Sequence, residues 1–345
     1  MKKYGLLILA AIFMASFFCA CATPTAKAGA NDKLQIVTTI FPEYDWVRNI
    51  VGDASNAEIT MLLDSGVDLH SYQPTVSDIM KIANCDLFIY VGGESDEWVD
   101  DVLEQNPNSK RKVINLLDAL GDAVKAEEIV EGMEHEHEDG EEHDHEDGDE
   151  DHDHEDGDEE HGHSHEEELD EHVWLSLRNA SALCETIANA LCELDSANKD
   201  AYQANLKAYK AQLSDLDVQY AKAVKNAKYT TLLFGDRFPF RYLTDDYGLT
   251  YYAAFAGCSA ESEASFETVK FLADKLSDLG LPAILKIEGK NTKIAETVRD
   301  ASTNKNVEIL TLDSLQSVTA KDVEAGASYV KIMTENLEVL KKALN

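Results

Sequence analysis

The feature that most constrains this chain is a stretch that cannot fold. Residues 134–168 comprise 21 Asp or Glu, 9 His, 4 Gly and one Ser, with no apolar side chain among them. Ordering a backbone costs roughly 1–2 kcal/mol per residue, and a segment with nothing to bury cannot offset that cost. The stretch is therefore expected to be a solvated loop that interrupts whatever fold surrounds it. Its histidines are patterned. His-x-His recurs at His135 and His137, at His143 and His145, at His152 and His154, and at His161 and His163, with His165 extending the last pair. The octet HDHEDGDE occurs twice, nine residues apart. Imidazole together with carboxylate suits a borderline-soft ion such as Zn²⁺. The stretch reads as a weak, many-sited metal sponge, with a solubilising acidic linker as the plainer alternative. Acidity alone does not call for nine histidines.

The N-terminus carries Met1-Lys-Lys and then an apolar run from Gly5 to Ala20, too short to span a bilayer comfortably. It reads as an export signal over residues 1–20. The run closes on Phe18-Cys-Ala-Cys21, which resembles a bacterial lipobox. Cys21 follows a small residue and is the expected lipidation site, followed by a tether over 21–32. An ordinary cleaved signal releasing a free secreted product is the alternative.

Cys85, Cys184, Cys192 and Cys258 form no close-spaced zinc or redox motif and read as small apolar residues of the interior. The formal net charge is −36, of which the acidic stretch supplies −21. The remainder is still acidic, which disfavours nucleic-acid binding and favours attraction of cations.

About 275 residues of ordinary globular composition remain, enough for two modest lobes. Short apolar or β-branched runs at 34–40, 57–63, 86–91 and 112–116 alternate with helically spaced segments at 42–51, 75–84 and 96–104. That alternation predicts βαβ units on a parallel sheet. Residues 175–194 and 198–226 contain neither Pro nor Gly and predict two helices, the second long enough to act as a strut. Strand-like runs resume at 230–234, 249–255, 283–287 and 307–312, with helices near 265–279, 293–302 and 321–340. The expected organisation is an N-terminal α/β lobe over 33–133, completed by 169–197 after the acidic loop. A linking helix over 198–228 and a C-terminal α/β lobe over 229–345 follow, each lobe built on a four-stranded, mainly parallel sheet.

In open α/β sheets ligands bind outside the carboxyl ends of the strands. The polar residues expected there are His70, the Asp170-Glu-His172 run, Asp236 and Arg237, the loop from Gly257 to Glu263, Glu288 and Asp313. His70 and His172 are the only histidines outside the acidic stretch. Their matching topological places favour ligation over two satisfied structural residues.

Four segments carry a resemblance: Thr38-Thr-Ile-Phe-Pro42, Gly66-Val-Asp-Leu-His70-Ser-Tyr-Gln-Pro74, Asp86-Leu-Phe-Ile-Tyr-Val-Gly92 and Asp170-Glu-His172-Val-Trp174. In order and spacing the chain resembles the metal-binding lipoproteins of zinc and manganese ABC importers, the ZnuA-like group also called cluster A-I or cluster 9. The resemblance implies two lobes joined by a rigid helix, a metal in the crevice between them, and His70 and His172 as its first two ligands. It also implies a His or Glu after the first strand of the second lobe. Counting back from Phe240 and Tyr242 puts Arg237 there, and arginine has no lone pair to give. Either Asp236 takes its place, or Arg237 pairs with a carboxylate and the site is completed elsewhere; Asp313 matches the acidic fourth ligand, with Glu261 and Glu288 in reserve.

The implied function is non-catalytic capture of a divalent transition metal, Zn²⁺ or alternatively Mn²⁺, outside the cell. The implied partners are an ABC permease and its ATPase, with the monomeric chain held by lipid to the outer face of the cytoplasmic membrane. Two other classes compete with it. A secreted zinc hydrolase would need two His and an acid with an open position, but neither His-Glu-x-x-His nor Gly-x-Ser-x-Gly is present. Nothing in the sequence supports the other, a surface adhesin.

Overall fold

Strand β1 (Leu34–Thr38) lies inside the sheet of the N-terminal half, with a parallel neighbour on each side. It pairs with β2 (Ala57–Met61) on one edge and with β3 (Leu87–Tyr90) on the other. β3 then pairs with β4 (Lys112–Asn115), giving the order β2-β1-β3-β4. All four residues of β3 are buried, as expected of a parallel strand covered on both faces. These elements belong to a computed structural model that describes residues 33–53, 56–133, 168–259 and 263–345. The export signal, Cys21, Glu261 and the acidic stretch up to residue 167 lie outside the described residues. With that stretch go all nine expected collecting histidines: His135, His137, His143, His145, His152, His154, His161, His163 and His165 lie outside the described residues too.

The C-terminal half repeats the arrangement. β5 (Thr231–Leu233) pairs in parallel with β7 (Thr250–Tyr252), and β9 (Ala283–Lys286) with β10 (Glu308–Thr311). A parallel bridge between Phe234 and Leu285 joins the two pairs, so β5 has β7 on one side and β9 on the other. A second short parallel pair, β6 (Arg237–Phe238) with β8 (Phe255–Ala256), stands where the sequence predicts only loop and strand end.

The long helix Lys199–Lys225 spans about 40 Å at 1.5 Å per residue. Its buried side chains are Tyr202, Leu206, Tyr209, Leu213, Leu216 and Tyr220, a stripe with alternating steps of four and three. The helix packs against helix Phe41–Val51 of the first half and helix Tyr329–Ala343 of the second. Asn205 Nδ2 donates to the Ile50 carbonyl at 3.0 Å, and Tyr220 Oη to the Met333 carbonyl at 2.6 Å. The main buried cluster accordingly runs through both halves, and a smaller one around Leu272, Ile284 and Val298 is confined to the second.

Two local expectations change. The helix predicted over 321–340 is broken into Ala320–Glu324 and Tyr329–Ala343. Gly326 at φ 94° ends the first piece, and the Ser328 side chain caps the second by accepting from Lys331 N. Helix Arg241–Tyr247 was not foreseen; it ends on Gly248 in the left-handed conformation.

Candidate metal centre

Past β2 the chain makes a short 3₁₀ turn, Leu69–Ser71, whose cap is Asp68. Asp68 Oδ1 accepts from His70 N at 3.1 Å, which fixes the turn that presents the imidazole. The second imidazole comes from the segment after the acidic stretch. That segment re-enters the fold by antiparallel pairing with residues 125–127: Glu127 N donates to Glu168 O and Asp170 N to Lys125 O. His172 follows and is fully buried.

Both rings are aimed by oxygen atoms behind them. His172 Nδ1 lies 3.0 Å from Asp170 Oδ1, which also accepts from His172 N at 2.9 Å. A carboxylate only accepts, so Nδ1 carries the proton and Nε2 keeps its lone pair. His70 Nδ1 lies 2.7 Å from Ser95 Oγ and 3.6 Å from Glu171 Oε2. Glu171 in turn accepts from Ser95 N at 2.9 Å. Gly93, at φ 79°, is required here, since a Cβ would stand 2.4 Å from Glu171 Oε1.

The two Nε2 atoms face one another at 3.3 Å. Two nitrogens bound to one tetrahedral ion at about 2.0–2.1 Å stand roughly 3.3–3.4 Å apart. The pair is thus spaced as two corners of a zinc-type coordination shell. Burial, and after it the neighbouring His172, push His70 down to about 3, so its ring is neutral at ordinary pH and available to a cation. Cys258 completes a group of three: its Sγ, one ring nitrogen of His70 and one of His172 lie within 4.8 Å of one another. His70, Cys258 and five glutamates, Glu94, Glu97, Glu127, Glu168 and Glu171, line a cavity of about 470 Å³. Its charge favours cations.

The expected acidic ligands are placed differently. Asp236 Oδ1 accepts from Arg237 N at 2.9 Å and Oδ2 from Ile287 N at 3.2 Å, so both oxygens hold backbone. Asp236 is not part of the three-residue group. Asp313 and Glu288 line a separate cavity of about 730 Å³, together with Lys290 and Lys331. Glu288 is occupied there by Ser314, whose N and Oγ each donate to it at 2.7 Å. Burial and then the Glu288 charge raise Asp313 to about 7. Arg237 is turned to Asp68: its Nη2 lies 2.5 Å from Asp68 Oδ2, and against the effect of burial this guanidinium holds Asp68 below the usual carboxylate range.

Cys258 is the member of this group that the sequence did not mark as a ligand. Like Cys85, Cys184 and Cys192 it is a free thiol; it is half-buried, as Cys192 is, and of the four it is the one that lines the cavity. The available signal was its place in the Gly257–Glu263 loop, at a strand end already singled out for ligands.

The family model described as "Zinc-uptake complex component A periplasmic" matches residues 36–343. The chain belongs to the ZnuA family. Among curated relatives of this ZnuA-family chain, the zinc-binding lipoprotein AdcA of Streptococcus pneumoniae is 32% identical over 342 residues. That match takes in 99% of this chain and 61% of AdcA, so the chain spans about three-fifths of that relative's length. The high-affinity zinc uptake system protein ZnuA of Bacillus subtilis is 30% identical, over 99% of this chain and 98% of its own. Among solved structures, the Zn(II)-bound ZnuA-like domain of Streptococcus pneumoniae AdcA superposes with a TM-score of 0.67 at 27% identity, covering 90% of this chain and 99% of that domain.

Proposed function

We propose that this chain captures zinc outside the cytoplasm and passes it to an ABC permease driven by its ATPase, without catalysing a reaction. The 3.3 Å separation of His70 Nε2 and His172 Nε2 is the observation that carries this reading. Rings pre-aimed by Asp170, Ser95 and Glu171 bind an ion without first having to be ordered. Relatives whose names state zinc binding and zinc uptake support the choice of ion. The five cavity glutamates raise the local cation concentration, and the nine histidines of the acidic stretch act as weak collecting sites beside it. Cys21 carries the lipid that keeps the protein at the outer face of the membrane, in keeping with a relative named as a lipoprotein.

Zinc titration of the full chain against a chromophoric chelator tests the reading. One tight equivalent is expected above a set of weak ones, and it is expected to vanish in His70→Ala. A tight equivalent that survives this change removes His70 from the site. Mass spectrometry of the membrane-bound form tests the anchor: a diacylglyceryl-modified Cys21 is expected, and an unmodified mature N-terminus at any other residue refutes it.

A further inference from the structure

Cys258 stands in the turn after β8, one residue beyond Gly257. A Cβ at Gly257 would lie 2.9 Å from His172 Cε1, so only glycine lets this turn press against the ring. The turn is held from the other side by Arg237. One guanidinium donates through Nη1 to the Ser259 carbonyl at 3.3 Å and through Nη2 to Asp68 Oδ2. The other oxygen of Asp68 accepts from His70 N. A single cation therefore ties the turn that bears His70 to the turn that bears Cys258. Cys258 N is fixed as well, donating to Glu127 Oε1 at 3.1 Å.

We propose that Cys258 is the third protein ligand of the captured metal, bound as thiolate, and that Arg237 is the positioning residue that holds its turn against the two imidazoles. The proposal rests on the reading of His70 and His172 as the capture site. On binding, a metal–sulfur bond forms as the S–H bond breaks, and the proton leaves to solvent. A soft sulfur donor beside two imidazoles selects zinc and similar ions over Mn²⁺, which prefers oxygen.

Cobalt(II) added at one equivalent to the full chain reports the donor set directly. Wild type is expected to show visible ligand-field bands together with a near-ultraviolet thiolate-to-metal charge-transfer band. The acidic stretch contains no cysteine and cannot supply that band. Cys258→Ser is expected to lose the charge-transfer band, to bind zinc more than about tenfold more weakly, and to change its Mn²⁺ affinity by less than about threefold. A second measurement needs no variant: one equivalent of zinc is expected to slow alkylation of Cys258 by iodoacetamide. A wild-type cobalt complex with visible bands but no thiolate band, or alkylation at the same rate with and without zinc, overturns the proposal while leaving the imidazole pair in place. Unchanged tight binding in His172→Ala overturns the capture-site reading itself.

Discussion

The two halves of the molecule share a strand order, with the first strand lying between the second and third, yet they end their strands on different chemistry. In the N-terminal half the loops deliver His70 and His172, whose backbone N–H groups and Nδ1 atoms are taken care of by Asp68, Asp170, Ser95 and Glu171. Each Nε2 is left pointing at the other. In the C-terminal half the corresponding loops deliver Asp236, Glu288 and Asp313, whose oxygens accept from Arg237 N, Ile287 N, Ser314 and Leu315 N. An acidic residue at a strand end is thus not by itself a ligand. Asp236, with a backbone N–H on each oxygen, cannot turn to a metal without loosening one of them, and leaving such a donor unpaired costs about 1–3 kcal/mol.

The comparison breaks most sharply at His172. His172→Ala is expected to weaken zinc binding by at least about 100-fold, beyond the range of changes made behind a ligand. Titration against a competing chelator reads the effect, and an affinity within a few-fold of wild type would erase the distinction between the halves. Asp170→Asn comes next. The carboxylate that fixes the His172 tautomer becomes an amide that can present N–H instead of oxygen, and the expected loss is about 10–100-fold. Calorimetry at constant pH separates this from unfolding if the apo protein melts near the wild-type temperature.

Asp236→Asn sharpens the contrast from the other side. If its oxygens serve only backbone, zinc affinity is expected to move by less than about threefold. The amide has one acceptor oxygen where the carboxylate has two, so one of Arg237 N and Ile287 N loses its partner. The expected cost, about 1–3 kcal/mol, is reduced because burial already disfavours the charged carboxylate. A large loss of affinity with little loss of stability would restore Asp236 as a ligand.

Much of this was legible in the sequence because the signals were local. Each β-branched run, including 34–40, 86–91 and 283–287, holds a strand, since apolar alternation with helical spacing fixes element type without knowledge of the partner. His70 and His172 stood out because histidine is otherwise confined to the acidic stretch. The third member of the group was not legible. Cys258 is far from both histidines in sequence, and an isolated cysteine has the same signature in a core as beside a metal. Nor could spacing show that Arg237 reaches Asp68, since that pair closes between residues 169 positions apart. The break at Gly326 was visible as a glycine, but the anchoring of the helix that follows was not: Tyr329 N donates to Asp45 Oδ2 and its hydroxyl to the Trp174 carbonyl, both far away in sequence.

The smallest effect on the capture site is expected from the segment with the most histidines. The chain returns from the acidic stretch through the pairing of Lys125 and Glu127 with Glu168 and Asp170, before His172 is reached. That pairing positions the second imidazole, and among the described residues Asp68, Ser95, Asp170 and Glu171 hold the two histidines. Replacing residues 134–167 with a short Gly-Ser linker should therefore leave the tight zinc equivalent within about twofold, while the weak equivalents disappear with their nine imidazoles. The rate of loading should fall as well, most clearly at low zinc, because nearby weak sites shorten the search for a strong one. Stopped-flow loading and equilibrium titration of the same variant distinguish the two roles. A tight site that weakens tenfold or more would make the acidic stretch part of the coordination shell, and a loading rate equal to wild type would reduce it to a solubilising linker.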